Sequence, residues 1–276
     1  MKVLNYGSLN LDYVYRVDHF VQPGETLSAY QQTVSPGGKG LNQSLALARA
    51  GAEVYHAGCL GIGGESLKTL LQENCINTDC LYPVDALQGN AVIQVDQTGQ
   101  NCILLFGGSN QCVTKEQILQ TLDGFGPGDF LLLQNEINNL PLIVDCGYER
   151  GMKIVLNPSP FNDALNPVDF RKIDWLLVNE TEAAQLSGSQ DPEAVRLRLR
   201  TLYPKLKLLV TLGSEGSAAF TDTETVYQPA SRVRAVDTTA AGDTFTGFFL
   251  AGLMEGLPLR TSMHRASIAA GIAVTR

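Results

Sequence analysis

Val233-Arg234-Ala235-Val236-Asp237-Thr238-Thr239-Ala240-Ala241-Gly242-Asp243-Thr244-Phe245-Thr246-Gly247-Phe248 carries the clearest structural signal in the chain. A short β-rich run enters a turn of small residues, and a helical pattern follows from about Gly242 to Met254. Small residues let a backbone approach a ligand closely. The first turn of a helix has unpaired N–H groups, and its dipole adds partial positive charge there. The turn therefore predicts an anion site. A transferring phosphoryl group needs such a site, because positioning and charge complementarity stabilise its transition state. Asp243 stands at that site. It is either a first-turn carboxylate that stabilises its own helix or a base that takes the proton of an attacking hydroxyl. The segment alone leaves both open.

Strand-to-helix passages of this kind recur outward along the chain. Lys2–Gly7, Glu53–Cys59, Asp129–Leu133, Lys153–Leu156, Asp174–Val178 and Leu206–Leu212 read as buried strands. Leu41–Ala50, Ser66–Asn74, Lys115–Leu122, Leu140–Arg150, Thr181–Leu186 and Pro192–Leu202 have helical periodicity. The alternation predicts an α/β fold with a mostly parallel sheet covered by helices on both faces. Two regions break the rhythm. Tyr13–Val34 holds strand-like pieces around Pro23-Gly24-Glu25, and Asn90–Val95 with Asn101–Phe106 reads as a hairpin around Asp96–Gln100. Such strands insert poorly into a parallel core and predict a small separate sheet.

Composition narrows the function. The chain is 44% hydrophobic and 17% charged, enough apolar content for a large core. A net charge of −8, with no basic stripe, argues against a nucleic-acid partner. A phosphate site must then be local. The six cysteines include no Cys-x-x-Cys pair and no zinc spacing, which fits free thiols in a reducing compartment. No apolar run has the length of a signal peptide or a membrane span. The expected location is the cytoplasm.

Upstream, Pro36-Gly37-Gly38-Lys39-Gly40-Leu41-Asn42-Gln43 leads into a helix through Ala50, ended by Gly51. The glycines allow close backbone approach, and Asn42 offers donor and acceptor. The spacing is not that of a Walker phosphate loop. A capped helix entry is the alternative reading. Val178-Asn179-Glu180-Thr181-Glu182 follows a strand, and Asn179 with Glu182 could form a capping box.

Asp237–Phe245 closely resembles the C-terminal signature of ribokinases, within the wider PfkB carbohydrate kinase family, whose usual form is Asp-Thr-x-Gly-Ala-Gly-Asp. The Gly37–Gln43 stretch is similar to the N-terminal signature, as is Gly7-Ser8-Leu9-Asn10-Leu11-Asp12 at a strand end. Leu132–Glu136, Asn157-Pro158-Ser159-Pro160, Asn179–Glu182 and Thr211-Leu212-Gly213-Ser214-Glu215-Gly216 also match in family order.

The resemblance implies a ribokinase-like three-layer α/β/α core in one domain over 1–276, with a small β-sheet lid from about 12–34 and 89–108. It implies ATP with Mg2+, and less directly a potassium ion. Asp243 is implied as base, and the N–H groups of Ala240, Ala241 and Gly242 as anion hole. Ala240 departs from the usual glycine. Because the position supplies only an N–H, its methyl is expected to be tolerated. Asn10, Asp12, Gly38, Lys39, Asn42 and Glu136 are implied to line the sugar pocket, with carboxylates and amides suited to vicinal hydroxyls. Asn179, Thr211, Gly213 and Gly216 are implied at the nucleotide, Glu182 at magnesium, and Asp237 and Thr239 at the monovalent cation. A homodimer through the lid is implied.

The expected reaction is transfer of the γ-phosphoryl of ATP to O5 of ribose. Fructose, deoxyribose, a keto-deoxy sugar acid, a nucleoside, or sugar binding without turnover are the alternatives. Gly61-Ile62-Gly63-Gly64-Glu65 is shorter than in relatives and lacks the family's Gly-Asp acids. The sequence ends at Ala273-Val274-Thr275-Arg276, where relatives continue through a loop and a helix. A truncation there is expected to affect the adenine pocket and the cation site.

Overall fold

Alternating side chains along each central strand sort the apolar residues into two cores. Leu4 and Tyr6, Leu131 and Leu133, and Leu176 and Val178 belong to one. Val3, Phe130 and Leu132, and Trp175 and Leu177 belong to the other. Period-2 alternation with both sets apolar describes a sheet buried on both faces. The structure is a computed structural model that describes residues 1–275; Arg276, where the sequence ends, lies outside them.

Five buried parallel strands form the centre: β1 (Val3–Tyr6), β8 (Phe130–Gln134), β9 (Lys153–Asn157), β10 (Trp175–Asn179) and β11 (Lys207–Thr211). Among the described residues the main sheet has nine strands. On one side β4 (Val54–Ile62) and β5 (Asn77–Leu87) extend it in parallel. On the other side β12 (Ser217–Phe220) and β13 (Thr225–Gln228) add an antiparallel hairpin.

Helices α3 (Lys115–Leu122), α4 (Leu140–Glu149), α5 (Glu180–Ser187) and α6 (Pro192–Leu202) cover the first core. Helices α1 (Lys39–Arg49), α2 (Glu65–Glu73), α7 (Ala241–Met254) and α8 (Leu259–Ala273) cover the second. The three-layer arrangement expected from the alternation is therefore present. The pattern did not mark β5, the β12–β13 hairpin or α8. Strand β5 is an edge strand in which buried and exposed residues do not alternate regularly, and Pro83 lies inside it.

The second sheet is separate, in the order β3-β2-β6-β7. Its strands are β2 (Asn10–Arg16), β3 (Gln31–Gly37), β6 (Asn90–Val95) and β7 (Asn101–Phe106). The β6–β7 hairpin has the bounds read from sequence. The first two strands begin and end a little outside the expected segment, so that Asn10 and Gly37 are paired. That register brings the first signature beside the second.

Sites of open α/β sheets lie at the carboxyl ends of strands where the order reverses. Here β1 lies between β4 and β8, and the chain leaving β1 passes directly into the small sheet.

Candidate active site

Four neighbouring parallel strands end on a polar residue: Gln134 on β8, Asn157 on β9, Asn179 on β10 and Thr211 on β11. Each apolar strand thus carries a hydrogen-bonding group to the same rim. Helices α1 and α7 close over this rim. Helix α7 approaches α1 at Gly247, where an added Cβ would lie 2.8 Å from the Leu47 nitrogen.

Asp243 lies in the first turn of α7 and is buried. Its Oδ1 accepts from Gln43 Nε2 at 2.8 Å, and its Oδ2 from Asn42 Nδ2 at 3.1 Å. Burial pushes its carboxyl above the usual range, while the Lys39 ammonium and the two amides pull the other way.

Glu136 is pushed upward mainly by burial, opposed by Ser8 and Lys39. Its Oε2 accepts from Ser8 Oγ and, at 3.0 Å, from the Lys39 N–H. Asp12 is raised to about 6 by burial and by the neighbouring Glu136 charge. The carboxyl of Asp12 lies against Gly37, where any Cβ would collide with it. Gly38 has a φ of 92°, a left-handed value that glycine adopts without strain. Asn10 is buried, and its Oδ1 accepts from Asn110 Nδ2 at 2.7 Å. The structure thus brings Asn10, Asp12, Gly38, Lys39, Asn42, Glu136 and Asp243 into one neighbourhood, although they come from distant parts of the sequence.

A cavity of about 230 Å3 opens beside Asp243, with Lys39, Asn179, Glu182 and Thr246 in its wall. A larger, mainly apolar cavity of about 900 Å3 includes Gly213, Gly216, Val233, Phe245 and Ala270. Thr211 and Gly242 belong to both walls, so the two spaces adjoin. Asn179 and Glu182 do form the capping box of α5: Asn179 Oδ1 accepts from the Glu182 N–H at 2.8 Å, and Glu182 Oε2 accepts from the Asn179 N–H at 3.0 Å.

The turn before α7 differs in detail from the sequence expectation. The Ala241 N–H donates to the Thr238 carbonyl at 3.3 Å. The N–H groups of Ala240, Gly242 and Asp243 have no such partner among the described residues. Ala240 has a φ of 58°, where a methyl is not neutral: the left-handed conformation costs about 1 kcal/mol for a non-glycine residue. Glycine gains entropy when unfolded, which offsets part of that. Ala240→Gly should therefore raise stability by about 0.5 kcal/mol, read as a small increase in Tm, without lowering activity. Asp237 and Thr239 stay exposed on the approach loop, with Asp237 Oδ1 accepting the Thr239 N–H at 2.8 Å.

Across its whole length, residues 1–276, the sequence matches the profile of the pfkB family carbohydrate kinases. The chain belongs to the PfkB carbohydrate kinase family. It is 33% identical over 279 residues to ribokinase from Haemophilus influenzae, covering 98% of this chain and 91% of the relative. The structure of ribokinase from Thermotoga maritima superposes with a TM-score of 0.89 at 33% identity, over 100% of this chain and 93% of the other. That of ribokinase from Cryptococcus neoformans in complex with ADP gives 0.87 at 33% identity, over 100% and 94%. Like other PfkB carbohydrate kinases, the chain is a phosphotransferase with an alcohol as acceptor.

Sequence reasoning missed several polar residues of this PfkB site. Ser8, Gln43, Asn110, Gln134 and Asn157 all make the hydrogen bonds that fix the neighbouring groups. For Gln134 and Asn157 the available signal was the polar residue that ends a buried strand; Ser8, Gln43 and Asn110 carry no such mark.

Proposed function

We propose that the chain transfers the γ-phosphoryl group of ATP to O5 of D-ribose, with Asp243 as general base. One observation carries this reading: a buried carboxylate at a helix N-terminus whose N–H groups at Ala240, Gly242 and Asp243 are unpaired, flanked by polar groups on one side and two adjoining cavities on the other. The sugar hydroxyls fit the side where Asn10, Asp12, Asn42 and Glu136 meet, with the Gly38 and Lys39 backbone against them. The adenosine fits the apolar cavity at Gly213 and Gly216, with Thr211 at the junction. The phosphates then pass Gly242 and reach Lys39 and Asp243.

Asp243 withdraws the proton from the attacking hydroxyl, and the free N–H groups of the turn face the charge on the transferring group. Lys39 adds a positive charge from the wall of the same cavity. Among the described residues no cluster of three acidic, His or Cys side chains forms a metal cage. Glu182 keeps one carboxylate oxygen outside the capping box, which suits an ion that retains most of its waters. Mg2+ would be held there through water by Glu182 and Asn179, supplying charge neutralisation to the phosphates. Asp237 and Thr239 are both exposed, and Asp237 keeps its Oδ2 outside the bond from the Thr239 N–H; a potassium ion would be held there by these two residues.

The small sheet is proposed as the lid that excludes water from the sugar. Its β7 strand exposes Ile103, Leu104, Leu105 and Phe106, on both faces by strand alternation. Pairing of two lids into a homodimer would cover them. No helix among the described residues is long and apolar enough to cross a membrane, and a cytoplasmic location is proposed from this and from the free cysteines.

ADP release tested against ribose, deoxyribose, fructose and a nucleoside checks the substrate; a nucleoside or fructose preferred over ribose would overturn the choice. The carboxyl of Asp12 predicts a pH effect. Ionised above about 6, it accepts hydroxyl hydrogens; the sugar KM should rise as pH falls through that value, and Asp12→Asn should flatten the dependence. Folding has the opposite sign. Raised from 3.8 to about 6, the half-buried carboxyl favours the fold below the lower value, and that contribution is lost as pH rises through the upper one. Sugar-free Asp12→Asn should therefore melt higher than the parent at neutral pH.

A further inference from the structure

The buried polar residues beneath Asp243 form a directed relay. Gln43, on α1, donates its two Nε2 hydrogens to Asp243 Oδ1 at 2.8 Å and to Asn157 Oδ1 at 3.1 Å. Its Oε1 accepts from Gln134 Nε2 at 2.6 Å, and Gln134 also donates to Asn5 Oδ1 at 2.9 Å. Asn5 donates to the Gly40 carbonyl at 2.7 Å and to Ser44 Oγ at 2.8 Å. Asn157 donates to the Leu177 carbonyl at 3.0 Å.

A main-chain carbonyl can only accept. The Gly40 carbonyl therefore fixes the Asn5 amide so that its oxygen meets Gln134. The Leu177 carbonyl fixes Asn157 so that its oxygen meets Gln43. Between these anchors Gln134 must donate in both directions, and it leaves its own Oε1 buried without a partner. An orphaned buried carbonyl is unfavourable. Turning that amide over would place its oxygen against two acceptors. Gln43 is thereby left with one available orientation, its NH2 toward Asp243.

We propose that Gln43 is a positioning residue that holds Asp243 oriented and ionised for proton abstraction, its own direction being set by Gln134, Asn5 and Asn157. This rests on the proposed function, which makes Asp243 the base. The charged groups that face Asp243 are Lys39 from α1 and Glu136 from the segment after β8, with Glu182 of α5 across the cavity. Lys39 favours the ionised form and Glu136 opposes it. A neutral donor pointing at Oδ1 offsets part of the burial that favours protonation.

Gln43→Leu keeps comparable bulk and removes both donors. The expected result is a kcat about 10–100-fold lower, a sugar KM within about 3-fold of the parent, and an acidic limb of the kcat–pH profile about one unit higher. Gln134→Met, one link further from the reactants, should shift the same limb in the same direction by less. An unshifted limb with kcat within about 2-fold in a folded Gln43→Leu protein overturns the proposal. Should that variant not fold, an unshifted limb in Gln134→Met does so instead. Labelled-aspartate 13C NMR reads the Asp243 titration without turnover. A parent that phosphorylates no sugar while Asp243 still titrates higher in Gln43→Leu would count against the proposed function and for the relay.

Discussion

Asp243→Asn is expected to lower kcat for sugar phosphorylation by on the order of 10²–10⁴-fold, the usual contribution of a positioned general base. The substitution preserves shape but removes basicity. Its effect on folding should be small, because two opposed changes accompany it. One amide of the variant must face a donor from Gln43 or Asn42, where the carboxylate accepted both, and about 1 kcal/mol is lost with that bond. Against this, the variant no longer holds a charge in a buried site. Sugar binding should persist, since the other polar groups around the proposed sugar are untouched. The check is a coupled ADP assay run with calorimetric sugar binding and a melting curve. A kcat within about 10-fold of the parent, in a folded protein that binds sugar, would remove Asp243 from the base role.

Gly247→Val should have the largest effect on the fold. Gly247 lies one turn beyond Asp243 on α7, and its missing side chain lets α7 press against α1. A Cβ there would come 2.8 Å from the Leu47 nitrogen and 2.9 Å from the Ala46 carbonyl carbon. Backbone cannot swing aside as a flexible side chain can. Overpacking of this kind costs about 1–3 kcal/mol, and the better helix propensity of valine over glycine, a few tenths of a kcal/mol, offsets only a small part of it. The melting temperature should fall by about 2–4 °C per kcal/mol. Activity should fall as well, because the same displacement separates Asp243 from Asn42 and Gln43. Gly247→Ala should give a smaller loss in both measurements. A Gly247→Val protein that melts and turns over like the parent would show that the α1–α7 approach does not set the site.

Much of this was legible because the two kinds of information differ in range. Apolar strands such as Leu131–Leu133 and Leu208–Val210 are bounded by short local signals, so the central sheet could be read directly. The Asn101–Phe106 strand announced its hairpin through Asp96–Gln100, whose Asp96 carboxylate accepts from the Thr98 and Gln100 N–H groups. Edge elements were harder. Strand β5 mixes exposed and buried residues along eleven positions, and each strand of the β12–β13 hairpin has four residues, too few for a period to emerge. In α8 the buried positions include Ser262, Ala266, Ser267 and Gly271, small residues that do not register as an apolar stripe.

The site shows the same division. The motifs around Asp243 and Gly38 are contiguous and could be quoted as such. The contacts that organise them are not: Gln43 meets Asp243 across 200 residues, and Gln134 meets Asn5 across 129. No local pattern encodes those pairs; the packing of α1 against α7 makes the first, and the pairing of β1 with β8 makes the second. The strain at Ala240 was likewise invisible, because a backbone dihedral of 58° follows from how the chain reaches α7. The capping box at Asn179 and Glu182 was predictable from spacing and is present, and it coexists with their place on the cavity wall.

The most direct test of the central claim is a crystal structure of the protein with ribose and a non-hydrolysable ATP analogue bound together. The account predicts an Asp243 carboxylate oxygen about 2.6–3.2 Å from ribose O5, within hydrogen-bond reach of the proton it removes, with the terminal phosphate on the far side of that hydroxyl near the Gly242 N–H. A ternary complex in which residue 243 stands clear of both the hydroxyl and the phosphate would contradict it.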